Sequence, residues 1–426
     1  MDLILRHANL PDGRRDIDIG IDAGRIVDVS HALAASGAQE FDVRGRLVSP
    51  PFVDAHFHMD ATLSLGLPRR NVSGTLLEGI ALWGELKPDL SQDAVAQRAL
   101  AYCDMAVAQG LLAIRSHVDI CDDRLLAVDA LLDVQRRVAP YLTLQLVAFP
   151  QDGFYRSPNA EKNLLRALDR GVQVVGGIPH FERTMADGAA SVKRLCEIAA
   201  ERGLLVDMHC DESDDPLSRH IETLAAETHR LGLHGRVAGS HLTSMHSMDN
   251  YYVSKLLPLI AEAGVAAIAN PLINITLQGR HDSYPKRRGM TRAPELIAAG
   301  VNVAFGHDDV MDPWYPLGTA NALQVAHVGT HAAQMLSRDE IAETFEMVTS
   351  RAAAVLGLGD DAYGVRVGAP ASFVLLPATD GYDAVRRQVR PTHVVSHGRV
   401  VATTPPPVTT LSWPGEEPQA VTFTPR

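Results

Sequence analysis

The chain is poor in cysteine, and the cysteines it has are scattered. Four of the 426 residues are cysteine, and none of them belongs to a Cys-x-x-Cys pair. A disulfide framework uses a denser set of cysteines, and a closed structural zinc site uses clustered thiolates. Both kinds of stabilisation are therefore disfavoured.

The chain also lacks long apolar runs and an excess of positive charge. No apolar stretch reaches the ~20 residues of a membrane-spanning helix, and the N-terminus, with Asp2 and Arg6, has no signal-peptide pattern. The 51 acidic residues outnumber the 39 basic ones, and the one dense basic run, residues 286–288, is interpreted as a solvated loop. We therefore expect a cytoplasmic protein that binds neither nucleic acid nor membranes.

The middle of the chain alternates between apolar strand patterns and amphipathic helix patterns, for example a helix over residues 125–138. Most of the strands are rich in Val, Ile, Leu or Ala, as buried parallel strands are. Eight strand–helix units predict an α/β protein with a (β/α)8 TIM-type barrel. The predicted strands end near His56, His117, Phe149, Pro179, His209, His241, Asn270 and His307.

Both ends of the chain carry short β patterns instead. Residues 3–5, 16–21 and 25–29 are predicted strands near the N-terminus, and similar signals return at 371–377 and 393–401. We expect residues 1–49 and 365–426 to form one small β-sandwich domain and residues 50–364 to form the barrel. The proline-rich tail from Thr403 is predicted to be extended.

Polar residues stand at the C-terminal ends of the predicted barrel strands, which is where such barrels place their chemistry. His56 and His58 are spaced i, i+2, so on a strand both side chains point to one face and can bind one metal ion. The alternative is two surface histidines at a strand end. The other strand ends carry His117, Gln151, His180, His209, His241, Asn270 and Asp308.

Imidazoles and a carboxylate together suit a borderline divalent ion such as zinc or iron(II). Residues 53–58, the histidines of the fifth and sixth strands and the aspartate of the eighth resemble the amidohydrolase superfamily. The fourth strand, residues 174–180, has no lysine. Two-metal members of the superfamily typically use a carboxylated lysine there, so the resemblance implies a one-metal site.

The resemblance narrows to the bacterial cytosine deaminases and covers nearly the whole chain. It implies hydrolytic deamination of a free nucleobase, cytosine to uracil and ammonia, with isoguanine, 5-methylcytosine or an N-substituted triazine as alternative substrates. A homo-oligomer is expected. The motifs that carry the resemblance are residues 73–79, 147–151, 206–215, 270–280, 284–289 and 305–321.

The resemblance also implies roles for single residues. The metal ligands are His56, His58, His209 and Asp308, which would hold one divalent ion, Fe2+ or Zn2+, with iron favoured. Glu212 would carry a proton to N3 of the base. The alternative for Glu212 is a carboxylate at a helix N-terminus.

His241 is expected to hydrogen-bond the attacking water or the oxygen that develops at C4, and Asp308 is expected to accept the proton of the water. A buried core histidine is the alternative for His241. Gln151 can pair with N1–H and O2 of cytosine through one amide. The alternative is a glutamine in a surface loop with no role in binding. Around the base we expect Asp309, Phe149 and Trp314, unless the two aromatic residues are ordinary core.

Overall fold

The computed structural model describes residues 1–423. In chain order, the strands within this range are β1 (Leu3–Ala8), β2 (Ile17–Asp22), β3 (Arg25–Ser30), β4 (Gln39–Asp42), β5 (Leu47–Ser49), β6 (Phe52–Phe57), β7 (Leu111–Asp119), β8 (Thr143–Phe149), β9 (Val174–Gly177), β10 (Leu205–Cys210), β11 (Val237–His241), β12 (Ala266–Ala269), β13 (Val303–Phe305), β14 (Phe373–Leu376), β15 (His393–Ser396), β16 (Arg399–Thr403), β17 (Thr410–Leu411) and β18 (Gln419–Ala420).

The α-helices are α1 (Leu76–Leu86), α2 (Gln92–Ala108), α3 (Leu126–Val138), α4 (Ala160–Asp169), α5 (Met185–Arg202), α6 (His220–Leu231), α7 (Asn250–Ala263), α8 (Pro271–Leu277), α9 (Ala293–Ala298), α10 (Ala322–Ala332), α11 (Arg338–Met347), α12 (Ser350–Val355) and α13 (Gly381–Arg387). Short 3₁₀ helices cover Lys87–Asp89, Pro179–Phe181 and Thr243–Ser247. No helix within residues 1–423 is long and apolar enough to cross a membrane.

Strands β6 to β13 form one parallel sheet in which each strand pairs with the next. Backbone hydrogen bonds between Asp308 and the end of β6 join the last strand to the first, because His58 N donates to Asp308 O and Asp308 N donates to His56 O, both at 2.9 Å. The predicted (β/α)8 barrel is confirmed, with its eight strands where the apolar runs predicted them. Helix α3 also begins within one residue of its predicted start.

The lower part of the barrel is filled by small apolar side chains. Alanines and other small residues from β6, β7, β11, β12 and β13 cluster with residues of α12. Every residue of β7 is buried, which matches a strand covered on both faces. The larger side chains pack between the sheet and the helices, so the polar strand ends remain at one end of the barrel.

The terminal strands form two further four-stranded sheets, in the orders β3-β2-β1-β4 and β16-β15-β14-β5. Strand β14 shows why they pack together: Phe373 and Leu375 enter a core shared by the two sheets, whereas Val374 and Leu376 enter the core of the barrel. Because alternate residues of a strand point to opposite faces, β14 packs against the paired sheets on one face and against the barrel on the other. The domain boundaries at 49/50 and 364/365 stay a prediction.

The C-terminal segment differs in detail from its sequence pattern. Residues 393–401 are not one strand, because a turn at His397 and Gly398 separates β15 from β16. Residues 404–409 have no regular structure, as the extended tail predicts, but β17 and β18 then form a short hairpin. The last three residues of the predicted tail lie outside the described residues.

Candidate active site

Four imidazoles and one carboxylate converge at the C-terminal ends of β6, β10, β11 and β13. The Nε2 atoms of His58 and His209 are 2.9 Å apart. Asp308 Oδ1 lies 3.3 Å from His56 Nε2 and 3.5 Å from His58 Nε2. Each of these residues, like the fifth member His241, is at most 7% exposed.

The donor atoms fit a single divalent ion. Ligand atoms bound to one zinc ion at 2.0–2.1 Å are separated by roughly 3 Å, which is the spacing of these nitrogens and oxygens. His56 Nε2 and Asp308 Oδ2 are buried and have no hydrogen-bond partner among residues 1–423. One group with all donor atoms within 4.8 Å contains His56, His209, His241 and Asp308. The predicted ligand His58 adjoins that group.

Burial keeps the imidazoles neutral. It lowers the pKa of His58 to about 3, and it lowers the pKa values of His56 and His209 well below the ordinary value, with neighbouring imidazoles adding to the effect. A neutral imidazole keeps one lone pair on the ring. The site therefore offers uncharged nitrogen ligands at neutral pH.

Unusual backbone conformations position two of these residues. His241 and Asp308 have φ values of 73° and 71°, in the left-handed region that residues with side chains rarely adopt. Gly306 directly follows β13, two residues before Asp308, and a Cβ there would come within 2.8 Å of His56 Cβ. Only a glycine lets the closing strand approach His56 this closely.

Glu212 lies in the loop after β10, eight residues before α6 begins at His220, so it is not a helix N-terminal carboxylate. Its side chain is 4% exposed, and Oε1 is buried 3.6 Å from His241 Nδ1. Burial raises the pKa of Glu212 to about 8. This carboxyl group can hold or release a proton near neutral pH.

The protonation of His241 is fixed by Asn274. The backbone N–H of Asn270 donates to Asn274 Oδ1 at 3.0 Å, so the other amide atom, Nδ2, faces His241 Nδ1 at 3.0 Å. An amide nitrogen only donates, so Nδ1 accepts and the ring proton of the neutral imidazole is on Nε2. The contact with Asn274 thus makes Nε2 the donor nitrogen of His241. The Asn270 side-chain amide nitrogen lies 3.5 Å from that atom, and His241 belongs to the group with metal-binding spacing.

A small cavity opens beside this cluster, and most of the predicted site residues line it. His56 lies beneath it. Phe149 is not among its lining residues, because the phenyl ring stacks on the His209 ring with the centroids 4.1 Å apart. The described residues that line the cavity are His58, Leu76, Gln151, Ile178, His209, Glu212, His241, Leu277, Asp308, Asp309 and Trp314.

The predicted substrate contacts occupy two parts of the cavity. Gln151 is 6% exposed and follows β8, so it is not a surface glutamine. Asp309 is also buried, with Oδ1 unpartnered among residues 1–423. The Trp314 indole packs on α1, where a Cβ at Gly79 would come within 2.2 Å of it. All three side chains belong to the wall of the cavity.

The sequence reasoning missed the apolar walls of the cavity, Leu76, Ile178 and Leu277. Leu76 and Leu277 lie inside two of the motifs that carry the family resemblance, residues 73–79 and 270–280. An aliphatic side chain in a motif does not show by itself whether it lines a cavity or packs in the core. Also missed were Arg115 and Asp207, buried beneath the ligands. Each lies two residues before a strand-end histidine, a spacing that places them on the same face of the strand.

His180 and Glu182, which imitate the His-x-Glu of a different zinc deaminase fold, have supporting roles. His180 Nδ1 lies 2.9 Å from the backbone oxygen of His209. Glu182 accepts hydrogen bonds from the backbone amides of Phe154 and Tyr155. Both side chains therefore bind the backbone around the site.

Several known proteins are similar to this chain over most of its length. The crystal structure of 5-methylcytosine deaminase from Klebsiella pneumoniae, liganded with 5-fluorocytosine, is 41% identical, with a TM-score of 0.93 over 97% of this chain and 100% of that one. N-isopropylammelide isopropyl amidohydrolase from Pseudomonas sp. (strain ADP) is 28% identical over 94% of this chain and 97% of its own length.

Pterin deaminase from Rhizobium rhizogenes is also 28% identical, over 92% of this chain and 89% of its own length. Residues 39–402 match the amidohydrolase family, so the match includes all eight barrel strands and every residue of the cluster. The chain belongs to the amidohydrolase family.

Proposed function

We propose that this protein hydrolyses the exocyclic C–N bond of cytosine, giving uracil and ammonia. The observation that carries the proposal is one small cavity with three kinds of group in fixed places. A buried His/Asp cluster lies at its base, a carboxyl group with a raised pKa lies beside the cluster, and the Gln151 amide faces the same space. Hydrolytic deamination at an amidine-like ring carbon needs an activated water, a proton carrier and a group that orients the base.

His56, His58, His209 and Asp308 would hold one divalent ion, Fe2+ or Zn2+. When bound, such an ion lowers the pKa of a water molecule toward neutrality and supplies the nucleophile for C4. The ligand nitrogens are neutral because they are buried. Burial and the neighbouring carboxyl groups raise the pKa of Asp308 well above its ordinary value, so a bound cation would be what stabilises its negative charge. Both metals suit this donor set, and metal analysis of the purified protein identifies which one is bound.

Gln151 orients the base. Its amide oxygen can accept from N1–H of cytosine while its amide nitrogen donates to O2, so one side chain reads both atoms of that edge. Trp314 and Leu76 cover the ring, and Asp309 lies toward the side of the cavity near Asp308. With the ring held in this way, C4 faces the His/Asp cluster.

Glu212 and His241 manage protons and charge at C4 and N3. As water adds to C4, Glu212 passes a proton to N3, and Asp308 accepts a proton from the water through Oδ2, which has no hydrogen-bond partner among the described residues. His241 donates from Nε2 to the oxygen at C4, since its Nδ1 is occupied by Asn274. The proton held by Asp308 then goes to the amino group, which leaves as ammonia. The proton of the C4 hydroxyl returns to Glu212 as the C4–O bond becomes the carbonyl of uracil.

A second candidate substrate is 5-methylcytosine. The solved structure that is 41% identical to this chain is named for that activity, and the apolar walls Leu76, Ile178 and Leu277 could cover a methyl group. The same chemistry at C4 serves both bases. The curated relatives named for N-isopropylammelide and pterin add a triazine and a pterin to the panel of test substrates.

The test is amine release by metal-loaded protein: ammonia from cytosine, 5-methylcytosine, isoguanine and pterin, and isopropylamine from N-isopropylammelide. We expect kcat/KM for cytosine to exceed that for isoguanine, N-isopropylammelide and pterin by at least ~100-fold, the discrimination of a site built to hydrogen-bond its substrate. Faster turnover of 5-methylcytosine than of cytosine selects the second candidate. Turnover of any of the other three faster than both pyrimidines contradicts the proposal. Chelator-treated protein is the control and should release no ammonia.

A further inference from the structure

A chain of buried polar side chains lies beneath the metal ligands and takes no part in the reaction above. Ser240, on β11, has its Oγ 2.8 Å from His56 Nδ1 and donates to Asp207 Oδ1 at 2.7 Å. Arg115, on β7, donates to Asp207 Oδ2 at 3.0 Å. These four side chains are at most 1% exposed. Polar groups this deeply buried are costly unless every hydrogen has a partner.

The directions of these hydrogen bonds follow from counting hydrogens. The Asp207 carboxylate is paired with a guanidinium and only accepts, so the single hydrogen of the Ser240 hydroxyl goes to Asp207. Ser240 then accepts from His56, and the ring proton of His56 is on Nδ1. The lone pair is left on Nε2, which is the nitrogen 3.3 Å from Asp308 Oδ1.

The same region offers a second grouping of metal-binding residue types, His56, His117 and Asp207. Arg115 makes a second ion there unfavourable. Its guanidinium bonds to Asp207 Oδ2 and is further held by Gln145 Oε1 at 2.7 Å and Val355 O at 2.7 Å, so it cannot move aside cheaply. A cation beside this fixed, buried positive charge would be repelled strongly. Within this grouping Asp207 holds Ser240, and the His117 ring packs beside the His56 ring with the centroids 4.2 Å apart.

We propose that Ser240 is a positioning residue for the metal centre. The relay Arg115–Asp207–Ser240 fixes the tautomer and the orientation of His56, so that Nε2 always presents its lone pair toward Asp308. Partners of this kind hold many histidine ligands, and their loss typically costs 10–100-fold in metal affinity. The inference rests on the metal centre of the proposed function and extends it to residues that touch neither metal nor base.

The first test measures metal binding by metal-free protein rather than activity. Zn2+ is titrated against a competing chelator for the wild type, Ser240→Ala and the control Ser191→Ala. Ser191 is an equally buried serine on α5 whose hydroxyl donates to Gly188 O, far from the ligands. We expect the Kd for Zn2+ to rise 10–100-fold in Ser240→Ala and to stay within twofold in Ser191→Ala.

A folded Ser240→Ala protein whose Kd lies within threefold of the wild type overturns the relay and leaves the proposed function standing. Wild-type protein that fails to bind Zn2+ at all overturns both. Folding of each variant is checked by circular dichroism.

The second test uses the wild-type chain and does not depend on the variant folding. Nitrogen-15 spectra of histidine-labelled, metal-free protein report which ring nitrogen carries the proton, and the His56 signal is identified by its loss in His56→Asn. We expect the Nδ1–H tautomer for His56. An Nε2–H tautomer contradicts the relay. A mixture of the two tautomers, which is expected if Ser240 only packs against the ring, contradicts it as well.

Discussion

Asp308 is joined to His56 twice, through the backbone and through the side chain. Asp308 N donates to His56 O at 2.9 Å, and Asp308 Oδ1 lies 3.3 Å from His56 Nε2. The contact that closes the barrel between its first and last strands therefore also brings together two of the proposed metal ligands. Assembly of the site and closure of the fold are one event, which explains why Gly306 is needed beside them.

Replacing Asp308 should remove the metal without unfolding the barrel. We expect Asp308→Ala to reduce the metal content after purification, because the proposed centre loses its only anionic ligand. The measurement is metal analysis by mass spectrometry. The neighbouring Asp309→Asn, which keeps all four ligands, should retain the wild-type content. Full occupancy in Asp308→Ala would remove this residue from the ligand set.

Glu212→Gln should separate proton transfer from metal binding. The amide keeps the shape of the side chain but cannot carry a proton to N3, so we expect metal content to be unchanged and kcat to fall by roughly 10²-fold or more. Glu227→Gln is the control, since Glu227 is also buried but pairs with Arg230 on α6. Near-normal turnover by Glu212→Gln would rule out the proton-transfer role.

Two glycines on the same helix give a matched test of the wall formed by Trp314. A Cβ at Gly79 would lie 2.2 Å from Trp314 Cδ1, whereas a Cβ at Gly84 meets nothing within 4 Å. We expect Gly79→Ala to displace the indole, raise KM and destabilise the fold by about 1–3 kcal/mol. Gly84→Ala should leave KM unchanged and stabilise α1 by about 0.5–1 kcal/mol.

Steady-state kinetics and urea unfolding of these two variants provide the measurement. Equal KM values in Gly79→Ala and the wild type would mean that the position of Trp314 does not control binding of the base.

The pH dependence of stability can be tested at Asp18, buried in the N-terminal sheet. Burial tends to raise the pKa of Asp18, but Arg6 and the backbone amides of His7 and Leu33 more than offset it and hold the pKa below its ordinary value of 3.8. A lowered pKa stabilises the fold above the ordinary value, and this stabilisation is lost as the pH falls through the pKa of the folded state.

We therefore expect Asp18→Asn to cost about 1–3 kcal/mol in the free energy of unfolding at pH 6. The difference from the wild type should shrink only below about pH 4, where the wild-type carboxylate becomes protonated in the unfolded state. Urea unfolding between pH 6 and pH 3 checks both statements. Asp22→Asn, an exposed position on the same strand, should change little at any pH. A difference that is constant down to pH 3 would contradict the assignment.

The fold was predictable because the sequence of each barrel strand is itself recognisable. Strands buried on both faces are short apolar runs, so β6 to β13 could be placed from composition alone. The hairpin of β17 and β18 could not, because strands of two residues have no periodicity to detect. Phe149 was expected to contact the base, but it stacks on His209, and a strand end alone does not distinguish a wall of the cavity from a support behind a ligand.

The sequence by itself determined which chemical groups stand at the strand ends and that the chain forms a barrel, since both depend on local order and hydrophobic pattern. Only the tertiary structure decided which nitrogen of each histidine is free. His56 meets Ser240 from 184 residues away, and His241 meets Asn274 from 33 residues away. A hydrogen-bond partner on another element, strand β11 for His56 and helix α8 for His241, chooses between two tautomers of nearly equal energy, and that choice exists only after the barrel has closed.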